Sequence, residues 1–160
     1  MSTAVVVPGS FDPITNGHLD VVERVARRFD HVVVAVLVNP GKHGMFTLEE
    51  RIDLVETCVD HLDDVEVDAF EGLLVDFCRD RGIGCIAKGL RGVGDFDYEL
   101  QMARMNTRIG DVETLFLPAS PDAVHVSSSL VKEVARLGGT IEHAVPEVVA
   151  RALHDKLADG

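Results

Sequence analysis

Short apolar runs that alternate with helix-like segments constrain the fold of this 160-residue chain more than any other sequence feature. Four runs contain no charged residue, and they cover 4–7, 32–38, 85–87 and 115–117. Such runs are typical of strands that are buried on both faces of a parallel sheet covered by helices. A fifth run, Val65-Glu66-Val67, alternates apolar and charged residues and therefore predicts a strand at the edge of the sheet.

The segments between these runs carry the three- and four-residue apolar spacing of amphipathic helices, beginning with Leu19 to Phe29. Thr47-Leu48-Glu49-Glu50 has the pattern of a capping box and opens the next helix. Further helices are predicted over about 71–81, 95–109, 128–137 and 146–157, with Gly82 and Gly138-Gly139 as C-terminal stops. This alternation predicts an α/β fold with a doubly wound, five-stranded parallel sheet. No linker or composition shift divides residues 1–160, so we expect a single domain.

Charge and cysteine content narrow the possible functions. The chain has 15 Lys and Arg against 27 Asp and Glu, a net charge of −12, which argues against binding nucleic acid or an anionic membrane along its length. Cys58, Cys78 and Cys85 are odd in number and lack a C-x-x-C spacing, as expected of free thiols in a reducing cytoplasm. No apolar run approaches the ~20 residues of a membrane span, and no His or Cys grouping has metal-ligand spacing. We therefore expect a cytoplasmic protein with no membrane or nucleic-acid partner and no metal held by its own side chains.

The turn after the first run is the most unusual stretch of the chain. Ligands of open parallel sheets bind at the carboxyl ends of the strands, so the residues that follow each run are the candidates. The turn reads Pro8-Gly9-Ser10-Phe11-Asp12-Pro13-Ile14-Thr15-Asn16-Gly17-His18 and leads into the first helix at about Gly17. Since helix N-termini attract anions, His18 is well placed to face a phosphate.

Cations and hydroxyl groups follow the other runs. The cations are Lys42, Lys88 and Arg91, and Ser127-Ser128-Ser129 supplies hydroxyl donors at a helix start. Taken singly, a loop lysine is an ordinary solvated residue and a serine triplet is an ordinary N-cap cluster. Their concentration at successive strand ends of an acidic protein predicts a pocket for a phosphorylated ligand, most simply a nucleotide. Neither a Walker A motif nor G-x-G-x-x-G is present.

These residues, in this order, resemble the phosphopantetheine adenylyltransferase family of bacterial nucleotidyltransferases. Thr15-Asn16-Gly17-His18 stands in the place of the superfamily's H-x-G-H signature, and the similarity continues through 45–51, 88–91, 95–99 and 126–134. The resemblance implies a Rossmann-like nucleotidyltransferase fold. It also implies transfer of AMP from ATP to 4′-phosphopantetheine, giving dephospho-CoA and pyrophosphate in coenzyme A biosynthesis, with Mg²⁺ and in a homohexamer.

The resemblance further implies roles for individual residues. His18 would be catalytic and stabilise the transition state at the α-phosphate, while Ser10 and Phe11 would lie under the triphosphate. The residues implied to hold phosphopantetheine are Ser10, Lys42, Leu74 and Lys88. The remaining residues implied to contact ATP are Gly89, Leu90, Arg91, Glu99, Ala123, Val124, His125, Val126, Ser127, Ser128 and Ser129.

Two departures from the family pattern affect these expectations. Lys88 stands where many members have arginine, so a point charge replaces a bidentate fork and a looser acceptor phosphate is expected. Ala123-Val124-His125 lacks the aromatic residues that the family commonly shows there. Packing at the adenine is then expected to differ, with His125 either filling the missing volume or making that edge sensitive to pH.

Two other functions stay open from the residues alone. A related adenylyl- or cytidylyltransferase would use a different phosphate acceptor, although such relatives would carry a true H-x-G-H rather than Thr15 at its first position. A non-catalytic receiver-like module would use Asp68 after the third strand and Lys88 after the fourth. A receiver also needs an acidic pair at the end of the first strand, where this chain has Pro8-Gly9-Ser10-Phe11.

Overall fold

The computed structural model describes residues 3–123 and 126–159, which form a parallel five-stranded sheet with helices on both faces. The strands are β1 (Ala4–Gly9), β2 (His31–Val38), β3 (Val65–Glu71), β4 (Cys85–Leu90) and β5 (Glu113–Pro118). The helices are α1 (Asn16–Ala26), α2 (Leu48–Val59), α3 (Leu74–Asp80), α4 (Val93–Gly110), α5 (Ser128–Arg136) and α6 (Glu147–Ala158), with a 3₁₀ turn at Pro121–Ala123. The predicted α/β class and five-stranded parallel sheet are confirmed.

The strand order is β3-β2-β1-β4-β5, with every neighbouring pair parallel. The chain builds outward from β1 to β3 and then returns to place β4 on the other side of β1. The order therefore reverses between β1 and β4, and their carboxyl ends diverge there to leave a crevice. This reversal places the turn after β1 beside the segment after β4.

Alternate side chains of the central strands enter two separate apolar cores. Val5 and Val7 point into the larger core, which packs α1, α2, α5 and α6 against one face of the sheet. Val6 and Ile86 point into the smaller core, where α3 covers the other face through Val75 and Cys78. Both faces of β1 are thus buried, which explains why it appears in the sequence as a continuous apolar run.

The burial predicted from the sequence is confirmed for one edge strand and wrong for the other. The prediction that the run beginning at Val65 lies at an edge is confirmed, because β3 is the outermost strand on its side. The prediction that 115–117 is buried on both faces is wrong, because β5 forms the opposite edge and Leu115 is 45% exposed. A three-residue apolar run has too little length to distinguish a central strand from an edge strand with one covered face.

Element lengths correct three further expectations. β3 continues to Glu71 and is followed by Gly72 at φ +82°, so the helix predicted from about 71 begins only at Leu74. Asp68 consequently lies inside β3 rather than after it, which removes the strand-end position required by a receiver module. Lys88 likewise lies within β4, near its carboxyl end, because the strand extends to Leu90.

The predicted capping box of α2 and the predicted glycine stops after α3 and α5 are confirmed. The capping box of α2 is present, since Thr47 Oγ1 accepts from the N–H of Glu50 and the Glu50 carboxylate accepts from the N–H of Thr47 at 2.7 Å. Gly82 and Gly138, at φ +66° and +76°, lie just beyond α3 and α5, where residues with a side chain would be strained. Across 3–123 and 126–159, no helix has the length and apolar character needed to cross a membrane.

Candidate active site

A cavity of about 340 Å³ lies at the carboxyl ends of β1 and β4, where the strand order reverses. The first turns of α1 and α5 border it, and α4 closes another side. The cavity walls include these predicted site residues: Phe11, His18, Lys88, Gly89, Arg91, Glu99, Ala123, Val126, Ser127, Ser128 and Ser129. Most of the residues expected to contact a nucleotide are therefore brought together from five separate segments of the chain.

His18 is oriented by the start of its own helix. Thr15 is the N-cap of α1, and its hydroxyl accepts from the His18 N–H at 3.3 Å. In return, the Thr15 N–H donates to His18 Nδ1 at 3.1 Å, which completes a capping box with histidine at the third helical position. Since a backbone N–H can only donate, Nδ1 is the unprotonated nitrogen of the neutral ring, and Nε2 carries the proton.

The surroundings of His18 keep its ring neutral. Burial lowers the pKa of His18 from 6.5 to about 4, and the positive charges of Arg91 and Lys88 add to the effect. Phe11 packs against the ring edge-on, with centroids 5.1 Å apart and planes at 71°. At neutral pH, His18 is therefore a fixed, uncharged hydrogen-bond donor in the wall of the cavity.

The cations of the cavity are paired with carboxylates from α4. Lys88 Nζ donates to Glu99 Oε1 at 2.8 Å, and Arg91 Nε donates to Asp95 Oδ2 at 3.2 Å. Arg91 also donates to the carbonyl of Val126 at 3.1 Å and so connects the start of α4 with the segment before α5. Asp95 was not among the predicted site residues, although its i,i+4 spacing from Arg91 in the sequence is a usable signal.

The serine triplet combines a capping function with a position at the cavity. Ser127 is the N-cap of α5, and its Oγ accepts from the N–H of Leu130 at 3.2 Å. The Ser128 hydroxyl donates to the carbonyl of Pro13 at 2.8 Å, which joins α5 to the turn after β1. The N-cap interpretation is correct for Ser127, and the same capped helix N-terminus faces the cavity.

A second cavity of about 230 Å³ adjoins the first and shares Lys88 and Glu99 with it. Its walls are mainly apolar, and they include the predicted residue Leu74. The other lining residues are Leu37, Phe70, Gly72, Leu73, Tyr98, Met102, Ala103, Asn106 and Thr114. Thr114 Oγ1 is buried in this wall without a hydrogen-bond partner among the described residues. The Lys88–Glu99 ion pair thus forms the boundary between a cavity of mixed polarity and a mainly apolar one.

Some predicted site residues lie outside both cavity linings or outside the described residues. Lys42 is exposed in the turn after β2, and Leu90 is the last residue of β4; neither lines these two cavities. Ser10 is also exposed and outside both linings, and its carbonyl accepts from Arg51 Nη1 at 2.7 Å. Val124 and His125 lie outside the described residues, as does the departure from the family pattern at His125. The roles expected for these residues stay predictions.

The fold and the cavity define a class of enzyme. A family model described as cytidylyltransferase-like matches residues 6–134, which include most of β1, the capping box of α1, both cavities and most of α5. The structure is also similar to a crystal structure from Vibrio parahaemolyticus described as a nicotinate-nucleotide adenylyltransferase. The TM-score is 0.71, and the match covers 98% of this chain and 95% of that one; at 18% identity, this likeness concerns the fold. The chain is a nucleotidyltransferase of the cytidylyltransferase-like class.

Three curated relatives share more than half of their aligned residues with this chain. The phosphopantetheine adenylyltransferase of Streptomyces coelicolor is 55% identical over 152 residues, covering 95% of this chain and 96% of the relative. The proteins of the same name from Frankia alni and Frankia casuarinae are 54% and 57% identical. They cover 96% and 94% of this chain, and 98% and 96% of their own lengths. The chain therefore belongs to the phosphopantetheine adenylyltransferase family.

Proposed function

We propose that this chain transfers AMP from ATP to 4′-phosphopantetheine, which yields dephospho-CoA and pyrophosphate in coenzyme A biosynthesis. The names of its relatives support this reaction. The structural observation that carries the proposal is the pair of adjoining cavities that meet at Lys88 and Glu99, one bordered by two helix N-termini and by cations, the other mainly apolar. A two-substrate transfer needs such an arrangement, because the reacting phosphates must be close while the rest of each substrate lies on its own side.

The larger cavity suits the triphosphate of ATP. The N-termini of α1 and α5 both border it, and unpaired backbone N–H groups there favour an anion. Arg91 and Lys88 add positive charge, and Gly89 lets a ligand approach the backbone of β4 closely. ATP would therefore lie with its phosphates against the two helix starts.

The smaller cavity suits the pantetheine arm. Its apolar walls match a flexible chain of methylene and methyl groups, and the amides of that chain need a few polar partners. The amide side chain of Asn106, in the wall of this cavity, can provide one. The arm's phosphate would then face Lys88, with Ser10 and Lys42 as further contacts from the ends of β1 and β2.

The chemistry follows from placement and charge. An acceptor phosphate oxygen forms a bond to the α-phosphorus of ATP while the bond between that phosphorus and the bridging oxygen breaks, and pyrophosphate leaves with the electron pair. The acceptor needs no general base, because a phosphate monoester has a second pKa near 6 and is mostly a dianion at neutral pH. His18 would donate from Nε2 to an oxygen of the α-phosphoryl group, where charge develops. The fixed cations would offset the repulsion between the two substrates.

Magnesium fits this site as part of the nucleotide substrate. Among the described residues, no group of three His, Cys, Asp or Glu side chains converges as metal ligands do. The carboxylates of Asp95 and Glu99 in the cavity wall are bonded to Arg91 and Lys88. Mg²⁺ commonly keeps several waters and is held through substrate phosphates, so we propose that it arrives with ATP and neutralises the triphosphate.

We also propose that the chain assembles into a homohexamer in the cytoplasm. No residue of helix α4, which lies wholly within the described residues, is fully buried, and Tyr98 and Met105 are 65% and 53% exposed. Leu115 on the neighbouring edge strand β5 extends this apolar surface. An apolar helix face of this size is typical of a subunit interface. The free thiols of Cys58, Cys78 and Cys85 suit a reducing compartment.

Pyrophosphate release from the purified protein tests the reaction. The assay uses ATP and Mg²⁺ with 4′-phosphopantetheine, with nicotinate mononucleotide, or with no acceptor. We expect release with phosphopantetheine only. Release with nicotinate mononucleotide instead would keep the nucleotide site and overturn the acceptor, whereas absence of release with either acceptor would overturn the proposed reaction.

A further inference from the structure

Asp12 lies in the turn after β1 and makes contacts to two distant parts of the chain. Its Oδ1 accepts from the N–H of Phe46 at 2.8 Å, and its Oδ2 accepts from the N–H of Met45 at 3.0 Å. The same Oδ2 accepts from Lys132 Nζ of α5 at 2.7 Å. Asp12 is only 8% exposed. One carboxylate thus joins the turn after β1, the segment before α2 and helix α5.

The joined segments are those that carry the nucleotide site. Asp12 directly follows Phe11, which packs on His18, and the next residue, Pro13, accepts the hydroxyl hydrogen bond of Ser128. Lys132 lies about one turn beyond Ser128 on the same helix. Neither Asp12 nor Lys132 is among the residues lining the two cavities. A change in this pair would therefore act on a ligand through the segments that it connects.

A buried ion pair is a poor way to gain stability alone, because the desolvation of both charges offsets much of their attraction. It is an effective way to fix a distance and an orientation. Burial opposes the charge of Asp12, yet the hydrogen bonds from Lys132 and from the Phe46 and Met45 N–H groups hold its pKa below the usual value. The Asp12 carboxylate is thus charged at neutral pH. Gly44 accommodates it, since a Cβ there would lie 2.8 Å from Oδ2 of Asp12.

We propose that the Asp12–Lys132 ion pair is a positioning element that fixes the N-termini of α1 and α5 relative to each other in the nucleotide site. The pair holds α5, with Ser127 to Ser129, at a fixed distance from the turn that carries Phe11 and His18. This inference rests on the proposed function for its substrate, ATP. It goes beyond that function by assigning the alignment of the triphosphate-binding segments to two residues outside the cavity linings.

A double-mutant cycle tests the proposal, with Asp12→Asn, Lys132→Met and the double variant. The readouts are the equilibrium Kd of Mg·ATP, the kcat and the KM for phosphopantetheine. We expect each single change to weaken Mg·ATP binding and lower kcat about tenfold, and the double variant to lose little more than either single one, as for residues acting as a unit. The KM for phosphopantetheine is expected to stay within about twofold of that of the original protein, because the ion pair positions the segments that bind the nucleotide.

Lys156→Met is the matched control. Lys156 of α6 donates to Glu50 of α2 at 2.6 Å, so this change also removes a lysine–carboxylate pair between elements. Lys156 Nζ lies 5.7 Å from the centroid of the Phe46 ring, and methionine keeps an unbranched side chain at this position without the charge. We expect a lower Tm for Lys156→Met with unchanged kcat and Kd. If Asp12→Asn and Lys132→Met likewise lower only the Tm, the pair is merely structural and the proposal is overturned.

Three further results would also overturn it. A weaker Mg·ATP affinity for Lys132→Met but not for Asp12→Asn, or fully additive losses, would mean that Lys132 acts on the triphosphate by itself.

If the neutral variants fail to fold, Lys132→Arg and Asp12→Glu keep both charges and change only the length and shape of the side chains. We then expect losses of about threefold in kcat, and normal kcat and Kd in both would refute the positioning role. The Kd measurement needs no acceptor, so the cycle remains decisive even if phosphopantetheine is not the substrate.

Discussion

Replacing His18 by alanine tests the central claim about the site. The ring is held by the Thr15 N–H at Nδ1 and presents an uncharged Nε2–H donor, so its loss removes a donor that is already in place before the reaction. Removing one preorganised donor of this kind typically costs about 100- to 1000-fold in kcat. We expect a loss in that range for His18→Ala. The Kd of Mg·ATP should change less than about threefold, because the donor acts mainly on charge that develops in the transition state.

The same substitution has a calculable effect on folding that must be separated from catalysis. The Thr15 N–H loses its side-chain acceptor, and the Phe11 ring loses its edge-on partner 5.1 Å away. Each loss costs about 1 kcal/mol. For a chain of this length, the sum corresponds to a decrease of roughly 4 to 8 °C in Tm. Assays at a temperature well below the Tm therefore report on kcat alone.

His18→Gln provides the control for this effect. Glutamine at the third helical position can accept from the N-cap N–H, so it can restore the capping box without presenting the imidazole Nε2–H. We expect the Tm to recover and kcat to stay at least tenfold below that of the original protein. Pyrophosphate release under saturating substrates measures kcat, and thermal unfolding measures Tm. A folded His18→Ala protein with kcat within about threefold of the original value would refute the assignment of His18 as the catalytic donor.

Three other predictions concern pH, the acceptor and assembly. Because the pKa of His18 is about 4 when folded and 6.5 as its ordinary value, the unfolded chain binds a proton first as pH falls. The free energy of unfolding should therefore keep its full value above pH 6.5 and lose up to about 3 kcal/mol as the pH falls from 6.5 to 4. A urea midpoint that falls equally with pH in His18→Gln would contradict this expectation. Lys88→Arg should lower the KM for phosphopantetheine by a few-fold through bidentate contact, and steady-state kinetics showing a higher KM would oppose that reasoning. Met105→Glu should dissociate the proposed hexamer in light scattering, whereas Arg151→Glu, at an exposed position of α6, should not.

The comparison of sequence and structure shows which kinds of signal were reliable. Helix starts were predicted well where the signal is local, as for the capping box of Thr47 and Glu50. The capping box of Thr15 and His18 has the same spacing, but histidine in place of glutamate hid it. The length of β3 and the edge position of β5 were mispredicted, because both depend on which strand lies beside which. Sequence reasoning also missed Asp95, Tyr98 and Asn106 in the cavity walls.

The amino-acid sequence alone was enough to predict the class of fold and the order of its elements, and it suggested strand ends at which a phosphate ligand would bind. These depend on hydrophobic periodicity, capping residues and charge, all of which act over a few neighbouring residues. Three features came from tertiary packing: β4 lies beside β1, Lys88 pairs with Glu99 between two cavities, and Asp12 pairs with Lys132. Asp12 and Lys132 are 120 residues apart in the chain. No local preference encodes such a contact, because it forms only when packing of the whole sheet and its helices brings the two side chains together.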